Sequence, residues 1–269
     1  MQRITSLDNP RFKHLLSLAR NGKARRHSRE TLIEGLHLIQ VYTAQINASY
    51  DLIVSEQALT NPNIDAWLKN GQSSGECVLL PEKLFNKLAH AETPTGLMAR
   101  IKTPLPPSLD MAQAAVSIAH AQEDCLLLDG VQDPGNIGTI LRTAAAAGVR
   151  HVLLSPQCAQ PWSPKVLRAG QGAHFLLRIY EAADLTAFLA VFPGDHIVTS
   201  VTDDAPSLYE ACWRHPAAWV FGSEGQGVGS ALLESASLRV KIPMMKHMPS
   251  LNVGVAVAVC LFESRRRRS

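Results

Sequence analysis

The sequence predicts two α/β domains, the second built on a parallel sheet. Short apolar runs alternate with helical patterns along the first hundred residues, and nearly continuous apolar strands separated by helices follow from Cys125 onward. Between them, Thr103–Ser108 holds three prolines in four residues, which neither a helix nor a central strand accepts. We predict a small domain at residues 1–103, a linker at 104–122 and a larger domain at 123–269.

The composition and the termini limit the class of protein. With 269 residues, 46% hydrophobic and 18% charged, the chain can bury a core and lacks the bias of a disordered protein. The N-terminus has no apolar signal segment. The longest apolar candidate, Ser250–Phe262, is too short to span a bilayer and is interrupted by Asn252. We therefore expect a soluble cytoplasmic protein with no membrane partner.

The cysteines argue against disulfides and metal ions. There are five, an odd number, and they lie far apart without a C-x-x-C pair. We expect buried free thiols, no disulfide framework and no zinc site.

In the small domain, a helix is predicted first. Asn9 can cap it and Pro10 suits its first position. The apolar residues that follow fall on one helical face: Phe12, Leu15, Leu16 and Ala19. Four short apolar runs are then predicted as strands: Leu32–Ile33, Leu52–Val54, Val78–Leu80 and Leu97–Ile101. Helical patterns at Leu36–Ala44 and Pro81–Ala89 alternate with them.

In the larger domain, helices and strands alternate. The predicted strands are Leu126–Leu128, His151–Leu154, Ile197–Val201, Trp219–Phe221 and Leu238–Ile242. The predicted helices are Ile137–Ala147, Pro164–Ala169, Leu185–Val191 and Leu251–Phe262. Ligands of such sheets bind beyond the carboxyl ends of the strands. The segments after Leu128, Phe221 and Ile242 are therefore the candidate site.

The charge is unevenly distributed. Residues 1–30 carry eight cations against two carboxylates, and Arg265–Arg268 add four more, whereas the rest of the chain is net acidic. Such blocks either attract a polyanion by counterion release or are solvated segments. We interpret Lys23–Arg29 as a phosphate-contacting loop and the terminal arginines as a disordered tail.

The segment after the first strand of the larger domain, Asp129–Ala144, predicts a turn and then a helix. Asp133-Pro-Gly suits the turn and Asn136 can cap the helix. Arg142 lies off the apolar face of that helix. It is either a surface arginine or free to act on a ligand.

The second segment is rich in glycine. Four glycines between Gly222 and Gly229 bend the chain tightly and would hold Glu224 by its backbone. No G-K-[ST] is present, and the spacing misses the dinucleotide fingerprint. Only forty residues follow Gly229, too few for a Rossmann sheet whose glycine-rich loop comes after its first strand.

The third segment, Ile242–Ala258, leads into an apolar helix. Ser250 can cap it, which would put Asn252 inside its first turn. A buried amide without a partner is costly there. A ligand, a catalytic partner or a capping network would each satisfy it.

Together these segments resemble the signature motifs of SpoU/TrmH-type RNA 2'-O-ribose methyltransferases of the SPOUT class. The motifs are N-x-G-x-x-x-R-T-A at Asn136–Ala144, G-x-E-G-x-G at Gly222–Gly227 and I-P-M-x5-S-L-N-V at Ile242–Val253. In the small domain, Leu32-Ile-Glu-Gly-Leu and Thr93-Pro-Thr-Gly-Leu-Met-Ala more weakly resemble the L30e-like substrate-binding domain that often precedes this fold. Lys246 departs from the pattern, since relatives frequently have glycine there.

The resemblance implies a parallel-sheet catalytic domain with a trefoil knot and a homodimer whose sites are completed near the subunit interface. It implies S-adenosylmethionine as methyl donor and RNA as partner, ribosomal RNA being favoured over transfer RNA by the front domain. The residues implied to contact the donor are Gly222, Ile242 and Leu251. The residues implied to form the reaction site are Asn136, Arg142, Glu224, Ser250 and Asn252.

The implied chemistry needs alignment more than activation, because a sulfonium methyl is already reactive. Arg142 suits stabilisation of the developing ribose alkoxide or binding of the adjacent phosphate. It is a poor general base, since guanidinium stays protonated. We expect a phosphate oxygen or water to take the proton, with Glu224 and Asn252 positioning the arginine and the ribose, and no metal.

Two alternatives come from other classes. A catalytically inactive RNA-binding protein would have at least one eroded motif, whereas all five reaction residues are present. A nicotinamide- or nucleotide-dependent enzyme would need a phosphate loop after the first strand, which Asp133–Asn136 does not supply.

Overall fold

The chain forms two compact units in the computed structural model, which describes residues 1–69, 75–106, 108, 110–200, 205–245, 247–248 and 250–268. The first unit comprises Met1–Pro104 and Trp162–Phe175, and the second Leu105–Pro161 and Leu176–Ser269. Two residues named in the sequence analysis lie outside the described residues. They are Lys246, in the third motif, and Val201, the last residue of a predicted strand. No helix in the described part of the chain has the length and apolar character needed to cross a membrane.

The first unit contains a mixed five-stranded sheet. Its strands are β1 (Gln2–Arg3), β2 (Glu30–Glu34), β3 (Asp51–Ser55), β4 (Cys77–Leu80) and β5 (Leu97–Lys102). Their order is β1-β4-β3-β5-β2; β4 is parallel to β1 and β3, whereas β5 is antiparallel to β3 and β2. The four predicted strands are confirmed. The two-residue β1 was not predicted, because it is too short to show a period.

The helices of the first unit include one that corrects a prediction. They are α1 (Pro10–Arg20), α2 (Gly22–Ser28), α3 (Leu36–Ile46), α4 (Pro62–Lys69), α5 (Glu82–Leu88) and α8 (Pro164–Gly170). Asn9 caps α1 as predicted, and Leu18 rather than Leu16 is fully buried on its inner face. The predicted loop at Lys23–Arg29 is wrong, because Asn21 accepts from the backbone N–H groups of Lys23 and Ala24 and so starts α2.

Residues 162–175 pack in the first unit although they follow much of the second in sequence. The Thr31 hydroxyl donates to the Trp162 carbonyl at 2.8 Å, and the Phe175 ring meets Tyr42 edge to face at 5.2 Å between centroids. The predicted boundaries therefore need this segment moved to the first unit. The apolar pattern of this segment predicts a helix whichever unit it packs in. The sequence therefore did not indicate that it belongs to the first unit.

The second unit contains a six-stranded sheet in which every pairing is parallel. Its strands are β6 (Cys125–Asp129), β7 (His151–Leu154), β8 (Arg178–Tyr180), β9 (Asp195–Thr199), β10 (Ala217–Gly222) and β11 (Leu238–Val240). The order is β11-β9-β10-β6-β7-β8. The predicted parallel sheet is confirmed, with β8 as the strand that was missed. The knot implied by the resemblance stays a prediction.

The predicted linker proves shorter than residues 104–122. The helices of the second unit are α6 (Met111–His120), α7 (Pro134–Ala147), α9 (Leu185–Val191), α10 (Ser230–Glu234) and α11 (Val253–Arg268). Asp110 caps α6, and Ala115 and Ile118 pack into the same hydrophobic cluster as Phe188 of α9. Because alanine side chains are small, α6 can pack closely against α9. The alanine-rich stretch is therefore part of the core and not of a linker.

The predicted disordered tail at Arg265–Arg268 is wrong, because these arginines form the last turn of α11. Arg265 donates to the Ala146 carbonyl at 2.7 Å, and Arg267 donates to the Leu208 carbonyl at 2.7 Å. Arg268 pairs with Asp124 at 2.9 Å. The charge run therefore fastens α11 to its surroundings.

Candidate functional site

A cavity of about 400 Å³ lies beyond the carboxyl ends of β9 and β10 in the second unit. Thr199 ends β9 and lines this cavity, and the loops that follow β10 and β11 provide most of the remaining wall. Five of the eight predicted site residues line it: Gly222, Glu224, Ile242, Ser250 and Leu251. The second and third predicted segments therefore form its wall, as the rule for parallel sheets requires. The first segment reaches the wall through Asn136, which donates to Glu224.

Gly222 makes the tight loop after β10 possible. The backbone of Ser223 and Gly227 exchanges two hydrogen bonds, of 3.1 and 2.9 Å, which folds the loop back on itself. A Cβ on Gly222 would lie 2.0 Å from the carbonyl carbon and oxygen of Gly227. The tight bend predicted from the glycines is confirmed, and the loop's own backbone occupies the space that a side chain at Gly222 would need.

Three predicted reaction residues form one hydrogen-bonded cluster, which we call the carboxamide cluster: Asn136, Glu224 and Asn252. Glu224 Oε1 accepts from Asn136 Nδ2 and from Asn252 Nδ2, each at 2.8 Å. Asn252 Nδ2 also lies 3.0 Å from Asn136 Oδ1. Because Asn252 Oδ1 accepts from the backbone N–H of Gly254 at 2.9 Å, the amide orientation is set by its partners.

Two of the predicted helix caps are wrong. Asp133, not Asn136, caps α7: its carboxylate accepts from Asn136 N at 2.7 Å, and Pro134 takes the first helical position. Asn252, not Ser250, caps α11 through Gly254 and lies before the helix rather than inside it. Capping by Asp133 leaves the Asn136 side chain free to reach Glu224.

The carboxylate of Glu224 lies where the N-terminal ends of α7 and α11 meet. Both helices are long, with 14 and 16 residues, and their first turns supply Asn136 and the residues capped by Asn252. Unpaired N–H groups and the helix dipole make such ends favourable for negative charge. In the described part of the chain no cationic side chain forms an ion pair with this carboxylate, so the two helix ends are the groups that favour a negative charge there.

Arg142 is not brought to the carboxamide cluster of its own chain. It is exposed on α7, and the described residues offer it no hydrogen bond or ion pair. It lies six positions after Asn136, which places the two side chains about 120° apart around the helix and about 9 Å apart along its axis. Ser250 is likewise exposed, on the cavity wall.

Sequence reasoning missed Asp129, which ends β6 beside Gly222 of β10. Its carboxylate accepts from the backbone N–H of Gly229 at 2.9 Å and so ties the far end of the glycine-rich loop to the sheet. An acidic residue at the carboxyl end of a buried strand was the available signal.

The cavity suits the donor that the resemblance implies. Among the described lining residues Glu224 carries the one charged side chain, and Phe221, Ile242, Met244 and Leu251 give apolar wall. A volume of about 400 Å³ lies within the usual range of small-molecule sites, roughly 300–1,000 Å³. The apolar wall suits the flat base of S-adenosylmethionine. The carboxylate of Glu224 at the edge of the cavity suits the positive charge of the same ligand.

Comparisons with known proteins match both parts of the chain. A model of the SpoU rRNA methylase family matches residues 124–262, and a model of the MRM3-like substrate binding domain matches residues 9–99. An uncharacterized tRNA/rRNA methyltransferase of Synechocystis sp. is 35% identical over 98% of this chain and 94% of its own. The 23S rRNA (guanosine(2553)-2'-O)-methyltransferase RlmP of Bacillus subtilis is 29% identical over 98% of this chain and all of its own.

Solved structures share the fold along the whole chain. A crystal structure of an RNA 2'-O ribose methyltransferase is 32% identical, with a TM-score of 0.76 over 99% of each chain. An AdoMet-bound rRNA methyltransferase from Sinorhizobium meliloti, 24% identical, has the same fold with a TM-score of 0.79 over 99% of this chain and 98% of its own. With more than half of its residues matched by the first model, this chain belongs to the SpoU rRNA methylase family.

Proposed function

We propose that this protein transfers a methyl group from S-adenosylmethionine to the 2'-hydroxyl of a ribose in structured RNA, with ribosomal RNA as its substrate rather than transfer RNA. The observation that carries the proposal is Glu224, held by Asn136 and Asn252 on the wall of a cavity suited to the donor. The preference for ribosomal RNA rests on the relative in Bacillus subtilis, whose name specifies 23S rRNA.

The donor site is formed by backbone and apolar groups. Gly222, Ile242 and Leu251 line the cavity and would hold the donor. When bound, S-adenosylmethionine supplies a sulfonium methyl that needs no further activation. Glu224 on the cavity wall places the carboxamide cluster beside the donor, where a ribose must enter for transfer.

The carboxamide cluster positions the ribose hydroxyl. Both amide donors occupy Glu224 Oε1, so Oε2 remains available to accept a hydrogen bond from the hydroxyl. Asn136 and Asn252 fix the rotamer of the carboxylate and so fix the direction of that bond. The proton leaves to a phosphate oxygen or to water, and Arg142 stabilises the alkoxide that develops.

We also propose that the protein works as a homodimer. On α11, Val255 and Phe262 are 49% and 47% exposed and lie two turns apart on one face. Thr139 and Arg142 are exposed on α7, which packs against α11. A second copy that covers this apolar surface also covers Arg142. The arginine that is remote from its own cluster would then serve the cluster of the partner subunit.

The proposal is tested by methyl transfer from labelled S-adenosylmethionine to 23S rRNA and to transfer RNA, both taken from cells that lack the gene. A 2'-O-methyl group blocks alkaline cleavage of the adjacent phosphodiester bond, so the label should survive in an alkali-resistant dinucleotide of the ribosomal RNA. Glu224→Ala should abolish transfer, whereas Glu234→Ala, at an exposed position of α10 that does not line the cavity, should keep it. Label recovered in a base, or in transfer RNA alone, would contradict the proposal.

A further inference from the structure

We propose that the first unit binds the phosphates of its RNA in one basic groove, formed by α1, the turn into α2 and the end of α5. This proposal rests on the proposed function and adds the surface that holds the substrate. The groove residues are Lys13, Leu16, Ser17, Arg20, Asn21 and Lys87, around a volume of about 560 Å³.

Several other cations of the first unit have a carboxylate partner. Arg3 pairs with Glu56 at 2.6 Å, and Lys102 pairs with Glu30 at 3.0 Å. Arg11 contacts Glu76 at 2.5 Å. A cation that is already neutralised by a neighbouring carboxylate gains less from a phosphate, so net charge alone overstates the binding surface of residues 1–30.

The groove cations differ in this respect. Arg20 donates to the Lys87 carbonyl at 2.8 Å, which uses one N–H of its guanidinium and no opposing charge. Lys87 has no carboxylate within ion-pair distance among the described residues, and the lining contains no acidic side chain. Lys13 contacts Asp8 at 2.9 Å, but both side chains are more than half exposed, so this pair is weak.

Neighbouring residues extend the positive surface. Lys83 lies one turn before Lys87 on α5, and Lys23 follows Asn21 in α2; both are exposed and have no carboxylate partner in the part of the chain that the structure describes. Ser17 lines the groove and offers a neutral hydroxyl donor. Cations from three helices around neutral donors match a phosphodiester backbone, which presents anionic oxygens at regular intervals.

The test compares two double variants of the full-length protein that remove the same net charge. Arg20→Gln with Lys87→Gln removes two groove cations; Arg3→Gln with Lys102→Gln removes two paired and exposed cations. Binding of 23S rRNA is measured by filter retention at 50 and 200 mM salt. The groove variant should bind about tenfold more weakly at the lower salt, with a salt slope shallower by about 2. The paired variant should stay within about twofold of the parent.

Two further measurements keep the outcomes apart. S-adenosylmethionine affinity and thermal stability of both variants should match the parent, and Lys23→Gln with Lys87→Gln repeats the test without touching the Arg20 hydrogen bond. If the groove and paired variants lose RNA affinity equally, or if neither loses any, the groove is not the phosphate-binding surface. Methyl transfer by the parent would in that case still uphold the proposed function. A parent that neither binds nor methylates RNA would overturn the function itself.

Discussion

The two ends of the α7–α11 pair differ in how the helices are joined. At the N-terminal ends, the side chains of Asn136 and Asn252 meet the carboxylate of Glu224 on the cavity wall. At the C-terminal ends, Arg265 donates to a carbonyl of α7, and Arg268 reaches Asp124, which is 4% exposed. The same two helices thus meet the site at one end and are held by arginine contacts at the other. We infer that the N-terminal ends act on the substrate while the C-terminal ends fix the helices.

The largest expected effect is on donor binding. Gly222→Val should abolish detectable S-adenosylmethionine binding in a calorimetric titration, because its Cβ would overlap the backbone of Gly227 and open the loop. Gly225→Ala is the matched control: a Cβ there meets nothing within 4 Å, so affinity should be preserved. Unchanged affinity in Gly222→Val would remove this loop from the donor site.

The next effect separates catalysis from folding on α7. Arg142→Ala should lower single-turnover methyl transfer on the order of 10²–10³-fold, the usual cost of losing one transition-state stabiliser. Donor affinity and stability should hardly change, because the side chain is exposed and has no partner in the described part of its own chain. Arg142→Lys should recover little, since a point charge lacks the planar fork.

Mixing variants extends this experiment to the homodimer. If Arg142 serves the partner subunit, a mixture of Arg142→Ala and Glu224→Ala chains should regain activity, because heterodimers contain one intact site. If it acts within its own chain, each site carries one lesion and activity should stay low. Transfer at the parent rate by Arg142→Ala alone would make the arginine an ordinary surface residue.

At the C-terminal ends of the two helices the effect should appear in stability instead. The Arg267 guanidinium lies 4.1 Å from the centre of the Trp213 ring, donates to the Leu208 carbonyl and pairs with Glu263. Arg267→Ala should lower the free energy of unfolding by about 2–3 kcal/mol, measured with urea. Arg266→Ala removes a 69% exposed side chain and should cost about 0.5 kcal/mol or less. Equal losses of unfolding free energy in the two variants would show that the contacts of Arg267 do not stabilise the fold more than the exposed Arg266 does.

The smallest effect depends on pH. Hydrogen bonds from Arg266 and Arg267 lower the pKa of Glu263 from 4.5 to about 2. Because the folded-state pKa is depressed, the carboxylate stabilises the fold above pH 4.5, and this contribution is lost as the pH falls toward 2. The difference in unfolding free energy between the parent and Glu263→Gln should therefore shrink over that interval. A difference that stays constant from pH 5 to pH 2.5 would show that ionisation of Glu263 is not responsible.

Sequence reasoning located the site but not its hydrogen bonds. Period and strand length placed the three segments at one edge of a parallel sheet, which is a property of the topology. The caps were misassigned because Asp133 and Asn136 are both good capping residues three positions apart, and Pro134 decides between them. Arg142 was grouped with the cluster by motif alone, although helical spacing already separates it from Asn136.

Sequence reasoning also failed to predict contacts between segments that are distant along the chain. A run of four arginines has the composition of a solvated tail, and its carbonyl and carboxylate partners, such as Leu208 and Asp124, are far away in sequence. Likewise, nothing in the pattern of residues 1–30 shows that Arg3 has Glu56 as a partner. Local periodicity predicts elements, whereas the pairing of charges depends on the assembled fold.

The position of residues 162–175 has a consequence for how the protein is made. The first unit is discontinuous: Trp162 and Phe175, both almost completely buried, pack with β2 and α3 although β6 and β7 are translated in between. During synthesis the first unit therefore lacks part of its core until residue 175 has left the ribosome. A chain shortened to begin near Ser117 would likewise expose both rings. Dissecting the two units requires removal or replacement of residues 162–175 together with the N-terminal segment.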